Sequence, residues 1–256
     1  MFRGSNNLCS TDRIFDLFLG FAFPRTCLVC GKTIRDFQLC VKCAPKHNLA
    51  DLSEKRCLIC WSSVEHQHIT KKSSSNLCER CLIGGNMFKK IRYLWIYQDQ
   101  RIAKLISTMK YKPSRKILKY CEESLTKNYG IFFNNDYFDL IIPIPPNPKN
   151  IWRRGFNQSA ILANIISKQY KISLLARALI RAKIVRPQAS LTRLQREQNA
   201  RGMFKLKYPE KIKGASILLI DDVITTGATA KAAAKTLLSN GAKDVSLYIL
   251  ASNERW

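Results

Sequence analysis

The chain is 256 residues long, enough for one large or two modest domains with a sizeable core, and its 46% hydrophobic content is ordinary for a globular protein. Its formal net charge of +25 is not ordinary; it points to an anionic partner, nucleic acid or a phosphorylated ligand, and says nothing about fold. No run of about 20 apolar residues occurs, so no transmembrane helix is expected.

The chain opens with Ile14, Leu17, Phe18 and Phe21 at helical spacing. The apolar stretch is short, Asp16 interrupts it, and Arg25 and Cys27 come after it in place of a small-residue cleavage site. A short amphipathic helix packing on the neighbouring domain is therefore expected, not a signal peptide, and the expected location is cytoplasmic.

Eight of the ten cysteines come next, as four Cys-x-x-Cys pairs: Cys27/Cys30, Cys40/Cys43, Cys57/Cys60 and Cys78/Cys81. Each pair can turn both thiolates toward one metal, and two pairs complete a tetrahedral four-thiolate zinc site. One or two structural zinc ions are expected. Sequential sites would use Cys27, Cys30, Cys40, Cys43 and then Cys57, Cys60, Cys78, Cys81; a crossed pairing fits the spacing too, and an iron–sulfur cluster is the surviving rival. Gly31 suits the tight turn after Cys30. Residues 24–86 carry too few large apolar side chains for a core, so metal binding there is folding. His47, His66 and His68 read as surface residues, and Cys9 and Cys121 fall outside the pattern.

From residue 87 onward the pattern alternates. Ile91–Tyr97 reads as a strand. Asp99 can cap a helix to about Met109, and Pro113 suits the first turn of a helix through Lys127. Phe138–Ile144 reads as a buried strand ended by prolines, Asn157–Tyr170 as a helix, Ser216–Ile220 as a strand, Ala230–Ser239 as a helix and Val245–Ala251 as a strand. Such alternation implies a mostly parallel sheet with helices on both faces. The expected boundary puts residues 1–86 in a helix and double zinc-ribbon domain and residues 87–256 in an α/β domain.

The α/β part is also where the charge lies. Between Lys149 and Lys213 there are 16 Lys or Arg against two acids, Glu197 and Glu210. Within that stretch Trp152-Arg153-Arg154-Gly155-Phe156-Asn157-Gln158 comes after Pro-Ile-Pro-Pro. Arg153 and Arg154 can grip phosphate oxygens in bidentate fashion, while Trp152 and Phe156 offer faces for stacking on bases. A second basic stretch, with Arg186, Arg193, Arg196, Asn199 and Arg201, reads as a loop in which one helical turn would put Arg196 and Asn199 on the same face.

The most informative segment is Ile217-Leu-Leu-Ile-Asp221-Asp222-Val-Ile-Thr225-Thr226-Gly227-Ala228-Thr229. A buried strand runs into two acids, then into a loop at a helix N-terminus. Unpaired backbone N–H groups and the positive end of the helix dipole attract phosphate there, Gly227 permits close approach, and the threonines offer hydroxyl donors. The bland alternative is a capped helix, with Thr226 or Thr229 as a structural cap. A Walker A loop is excluded, since no Gly-x-x-x-x-Gly-Lys-Ser/Thr occurs.

This segment resembles the phosphoribosyl-pyrophosphate (PRPP) motif of type I phosphoribosyltransferases. The resemblance implies that Asp221 and Asp222 hold the ribose hydroxyls, with Mg²⁺ accompanying PRPP, that Thr225, Thr226, Gly227, Ala228 and Thr229 seat the 5′-phosphate, and that Arg153, Arg154 and Arg196 neutralise the pyrophosphate. Together with the cysteine ribbon, the Arg-Gly-Phe-Asn-Gln element and the Gln-x-x-Leu…Arg-x-x-Asn loop, it makes the chain similar to the ComF family. Those bacterial proteins are phosphoribosyltransferase-like and linked to DNA uptake; many carry fewer cysteine pairs. The resemblance implies PRPP or a related sugar phosphate as ligand, single-stranded DNA as partner, and contact with a DNA-uptake helicase or other competence proteins. Two other readings stand beside it: a true phosphoribosyltransferase with an unidentified acceptor, for which Asp221 and Asp222 are the catalytic candidates and no general base stands out, and a non-enzymatic PRPP-sensing regulator.

Overall fold

The computed structural model describes residues 26–34, 39–44, 56–64, 76–84, 86–111, 115–133, 136–148, 151–152, 155–182 and 202–253. The expected N-terminal helix, Cys9, the three histidines, Pro113, Arg153, Arg154 and the basic loop with Arg196 lie outside those residues.

Five strands form one wholly parallel sheet: β1 (Ile91–Ile96), β2 (Leu140–Pro143), β3 (Ser173–Leu174), β6 (Ser216–Ile224) and β7 (Asp244–Ser252), in the spatial order β1-β7-β6-β2-β3. A separate two-stranded antiparallel sheet pairs β4 (Leu179–Arg181) with β5 (Phe204–Leu206). The central strands are continuous apolar runs because both of their faces are covered; Ile217, Leu218, Leu219, Val245, Leu247 and Leu250 are fully buried. The helices that cover them are α2 (Gln100–Tyr111), α3 (Arg115–Phe133), α4 (Gln158–Tyr170) and α5 (Ala228–Ser239); a single turn, α1 (Glu79–Leu82), belongs to the second cysteine cluster.

The helix starts obey their local chemistry. Asp99 Oδ1 accepts the backbone N–H of Arg101 at 2.9 Å, as a capping acid does. Asn157 caps α4 by accepting from the Ala160 amide. Helix α3 runs beyond the expected end at Lys127, straight through Gly130, although glycine costs a helix about 1 kcal/mol. Its last turns pack into an aromatic cluster: Tyr129 stacks on Tyr170 at 3.6 Å, and Phe133 meets Phe138 and Tyr248 edge-on at 5.4 and 5.3 Å. Tertiary packing overrides the local penalty there.

Strand β6 also runs further than expected, through the acid pair to Ile224. The strand order has a consequence for ligand binding. From β6 the chain crosses through α5 to β7 on one side; from its neighbour β2 it crosses through α4 to β3 on the other. The two connections diverge, so a crevice opens between the C-terminal ends of β6 and β2, the place where open α/β sheets bind ligands. No helix among the described residues is long and apolar enough to cross a membrane.

Candidate functional site

Asp221, Asp222, Thr225, Thr226, Gly227, Ala228 and Thr229 all line one cavity of about 320 Å³ at that crevice. Its far wall is Ile144, Pro145, Pro146 and Asn147, from the connection after β2. The volume falls at the lower end of small-molecule sites.

The loop at the start of α5 is arranged for an anion. Gly227 occupies the cap position with φ 73°, a left-handed conformation natural to glycine, and no side chain caps the helix. The structural-cap alternative for Thr226 or Thr229 is therefore not realised. Ala228, Thr229 and Ala230 of the first turn of α5 line the cavity, and among the described residues no side chain caps it.

The acid pair is held from its own backbone. Asp221 Oδ1 accepts the Asp222 amide at 2.9 Å, and Asp222 Oδ1 accepts the Val223 amide at 2.7 Å. Two side chains that no sequence motif singles out complete the grip. Ser159, in the first turn of α4, donates its hydroxyl to Asp221 Oδ1 at 3.0 Å. Lys110, in the last turn of α2, places Nζ 3.3 Å from Asp222 Oδ2. Burial, and then the charge of Asp222, pushes the Asp221 carboxyl up to about 7, against the pull of the Asp222 amide, Ser159 and Lys110. One acid of the pair thus titrates near neutrality.

Arg181 and Gln158 also line the cavity. The Arg181 guanidinium lies 5.2 Å from the Phe204 ring centre, and burial lowers its pKa despite the nearby Asp221 charge. Its Nε, like the Gln158 amide nitrogen, is buried with no hydrogen-bond partner among the described residues. These residues come from α2, α4 and β4, far apart in sequence. Only Gln158, the last residue of the Arg-Gly-Phe-Asn-Gln element, and Ser159 beside it carried a local hint.

The cysteines form two clusters in the sequential pairing: Cys27, Cys30, Cys40, Cys43 and Cys57, Cys60, Cys78, Cys81, with the sulfurs of each set within 4.8 Å of one another. A tetrahedral ion held at about 2.3 Å by thiolates has sulfur–sulfur edges of about 3.8 Å. The Cys30–Cys40 and Cys60–Cys78 separations are 3.7 and 3.5 Å. Sulfurs this close fit a single ion between them better than a multi-iron cluster. Crowding divides the protons of the second set unevenly: the hydrogen bond from Cys60 holds Cys57 down to about 4, and Cys60 itself is pushed up.

The two cysteine turns solve the same backbone problem differently. After Cys30, Gly31 takes φ 73°; after Cys60, Trp61 takes φ 64°. Both donate their amide to the first cysteine of the pair, at 2.9 and 3.0 Å. A tryptophan there carries strain of about 1–3 kcal/mol. Its ring is held by the Arg92 guanidinium at 4.5 Å, and its carbonyl accepts from Tyr93 Oη at 3.0 Å and Arg56 Nη1 at 3.1 Å. Arg92 also donates to the carbonyls of Leu58 and Ile59 at 2.9 and 3.1 Å, and the Ile91 amide donates to Ile59 at 2.7 Å. The second cluster is thereby bound to strand β1.

Comparison with known proteins agrees with this geometry. Residues 153–255 match the Phosphoribosyl transferase domain family. A protein named DNA utilization protein YhgH from Shigella flexneri is 35% identical over 112 residues, 44% of this chain and 48% of that one. Competence protein F from Haemophilus influenzae is 32% identical over 114 residues, 44% and 50% of the two chains. Competence protein ComFC from Bacillus subtilis is 25% identical over 165 residues, 64% and 65% of the two. The match spans about half the length of the first of these relatives. The parallel sheet with its diverging crossovers and the matched domain make this an α/β fold of the type I phosphoribosyltransferase kind, and the named relatives agree with the resemblance to the ComF family.

Proposed function

We propose that this chain, a relative of the competence proteins F and ComFC, binds PRPP in the crevice between β6 and β2 and handles single-stranded DNA beside it. Residues 1–86 are its zinc-binding part and residues 87–256 its ligand-binding part. One observation carries the reading: two carboxylates and an uncapped, threonine-lined helix start meet in a single cavity at the switch point of a parallel sheet. The helix start suits a 5′-phosphate. The carboxylates suit the hydroxyls of the ribose attached to it, and they would repel a bare polyanion. Mg²⁺ bound with the pyrophosphate supplies charge neutralisation, and Arg153, Arg154 and Arg196 are assigned to the same anion.

The DNA half of the reading is supported by charge and by one aromatic. Trp152, on the β2–α4 connection that also lines the cavity, is 92% exposed. An indole left in solvent beside a basic stretch is a stacking platform for a single strand. Zinc in each four-cysteine cluster is structural, since a site closed by four thiolates leaves no open position for chemistry.

The test is a pair of titrations, PRPP with Mg²⁺ and a single-stranded oligonucleotide, each with and without the other. PRPP binding is expected to be lost in Asp222→Ala, and DNA binding to fall steeply with salt and with Trp152→Ala. PRPP affinity untouched by Asp222→Ala would sink the first half; salt-independent DNA binding would sink the second. Release of pyrophosphate across a panel of bases and amines would convert the binding reading into a transferase.

A further inference from the structure

Lys110 stands in the last turn of α2, a helix whose Ile102, Leu105, Ile106 and Met109 are buried. A lysine at a helix C-terminus complements the macrodipole, and that role alone would leave its ammonium in water. Here the ammonium turns into the ligand cavity and lies 3.3 Å from Asp222 Oδ2, with the Lys110 side chain 19% exposed and that of Asp222 15%.

Removing an ammonium and a carboxylate from water costs about as much as their pairing returns, so stability does not account for the contact. Position does. Asp222 Oδ1 is committed to the Val223 amide. Lys110 is the cation on Oδ2 among the described residues. The carboxylate is therefore fixed at both oxygens, in a cavity where the neighbouring Asp221 would otherwise repel it. Among the described residues Arg181 is the other cation lining that cavity, and its guanidinium feels the Asp221 charge.

We propose that Lys110 is a positioning residue of the cleft: its ammonium on Oδ2 holds the Asp222 carboxylate in the orientation that meets the hydroxyls of a ribose ring. This rests on the sugar-phosphate reading above, and deepens it by assigning a residue from a helix that the phosphoribosyl transferase match does not reach. Lys110 acts through Asp222 and forms no bond in any reaction. It selects for a phosphorylated sugar over a phosphate that lacks one.

The proposal is tested by calorimetric titration of the full zinc-loaded chain with ribose 5-phosphate and, separately, with inorganic phosphate. The wild type is expected to bind ribose 5-phosphate more tightly, and the difference is the contribution of the ribose. In Lys110→Met, ribose 5-phosphate affinity should fall by about tenfold while phosphate affinity stays within about twofold, since one charge-assisted contact to the acid is lost and the threonine loop is untouched. Lys110→Arg should recover most of the loss, which a merely structural role would not require. If Lys110→Met fails to fold, Lys110→Gln replaces it. A variant that keeps the full ribose contribution overturns the proposal, as does an equal loss for both ligands, which marks bulk charge. A wild type that binds the two ligands equally overturns the sugar reading itself, and does so before any variant is compared.

Discussion

The hydroxyl of Ser159 donates to Asp221 Oδ1 across 3.0 Å, joining the first turn of α4 to the strand on the other side of the crevice. One short side chain thus sets the spacing between the two walls. Ser159→Ala should weaken sugar-phosphate binding by about threefold to tenfold, the range of one ordinary hydrogen bond. Titration with ribose 5-phosphate checks this. Unchanged affinity would mean that Asp221 is positioned by its backbone bond alone.

Asp221 should make the unliganded protein pH-sensitive near neutrality. Its carboxyl, pushed up to about 7 by burial and by Asp222, is protonated in the folded state over a range where the unfolded chain, at the ordinary value of 3.8, has lost the proton. The folded state therefore binds more protons between these values. The contribution to stability is complete below about pH 4 and disappears as pH rises through 7, at no more than about 1.4 kcal/mol per pH unit. Asp221→Asn removes the dependence, so the melting temperature of the variant should gain on the wild type between pH 5 and pH 8. A constant difference across that range would refute it. Ligand affinity should run the other way and strengthen through pH 7, because an ionised carboxylate accepts hydroxyl hydrogen bonds better than a neutral acid.

Two metal ions should bind per chain, one in each sequential cluster. Cys57→Ser with Cys60→Ser is expected to leave one zinc by elemental analysis, held by Cys27, Cys30, Cys40 and Cys43. A crossed pairing would also lose one ion from that variant; replacing Cys27, Cys30, Cys40 and Cys43 together by serine separates the two pairings, since it should cost one ion in the sequential pairing and both in a crossed one.

Arg92 should govern how firmly the second ion is kept. Its guanidinium satisfies the carbonyls of Leu58 and Ile59, within and beside the Cys57–Cys60 turn, and covers the Trp61 ring. Arg92→Leu leaves the Leu58 carbonyl without its donor, at about 1–3 kcal/mol, while Ile59 keeps the Ile91 amide. Release of zinc to a colorimetric chelator should quicken for one of the two ions and stay unchanged for the other.

Much of this architecture is legible in the amino-acid sequence, because buried parallel strands are written as unbroken apolar runs and Asp-Asp with Thr-Thr-Gly is a local signal. Strand β6 as far as Ile220, helix α4 from Asn157 and the four cysteine pairs all arise from neighbours in sequence, whereas the choice between sequential and crossed pairing does not. What escapes depends on convergence. Lys110, Ser159 and Arg181 reach the acid pair from three separate elements, and no spacing rule connects them. The short strands β3, β4 and β5, of two or three residues each, are below the length at which alternation can be seen. Helix α3 passes through Gly130 because aromatic packing outweighs a local preference. Trp61 adopts a glycine-like conformation because Arg92 and Tyr93 hold it there, which nothing near residue 61 announces.

Among the described residues strand β1 is the rim of the sheet, paired with β7 on one side, and its other side begins under the Cys57–Cys60 turn through the Ile91 amide and the Ile59 carbonyl. An uncovered rim of this kind is an invitation to pair with another chain. A metal held in the second cluster would therefore guard this rim against self-association, a duty distinct from holding the ribbon together: stripped of it, the protein should become sticky along β1 while the crevice between β6 and β2 is still intact.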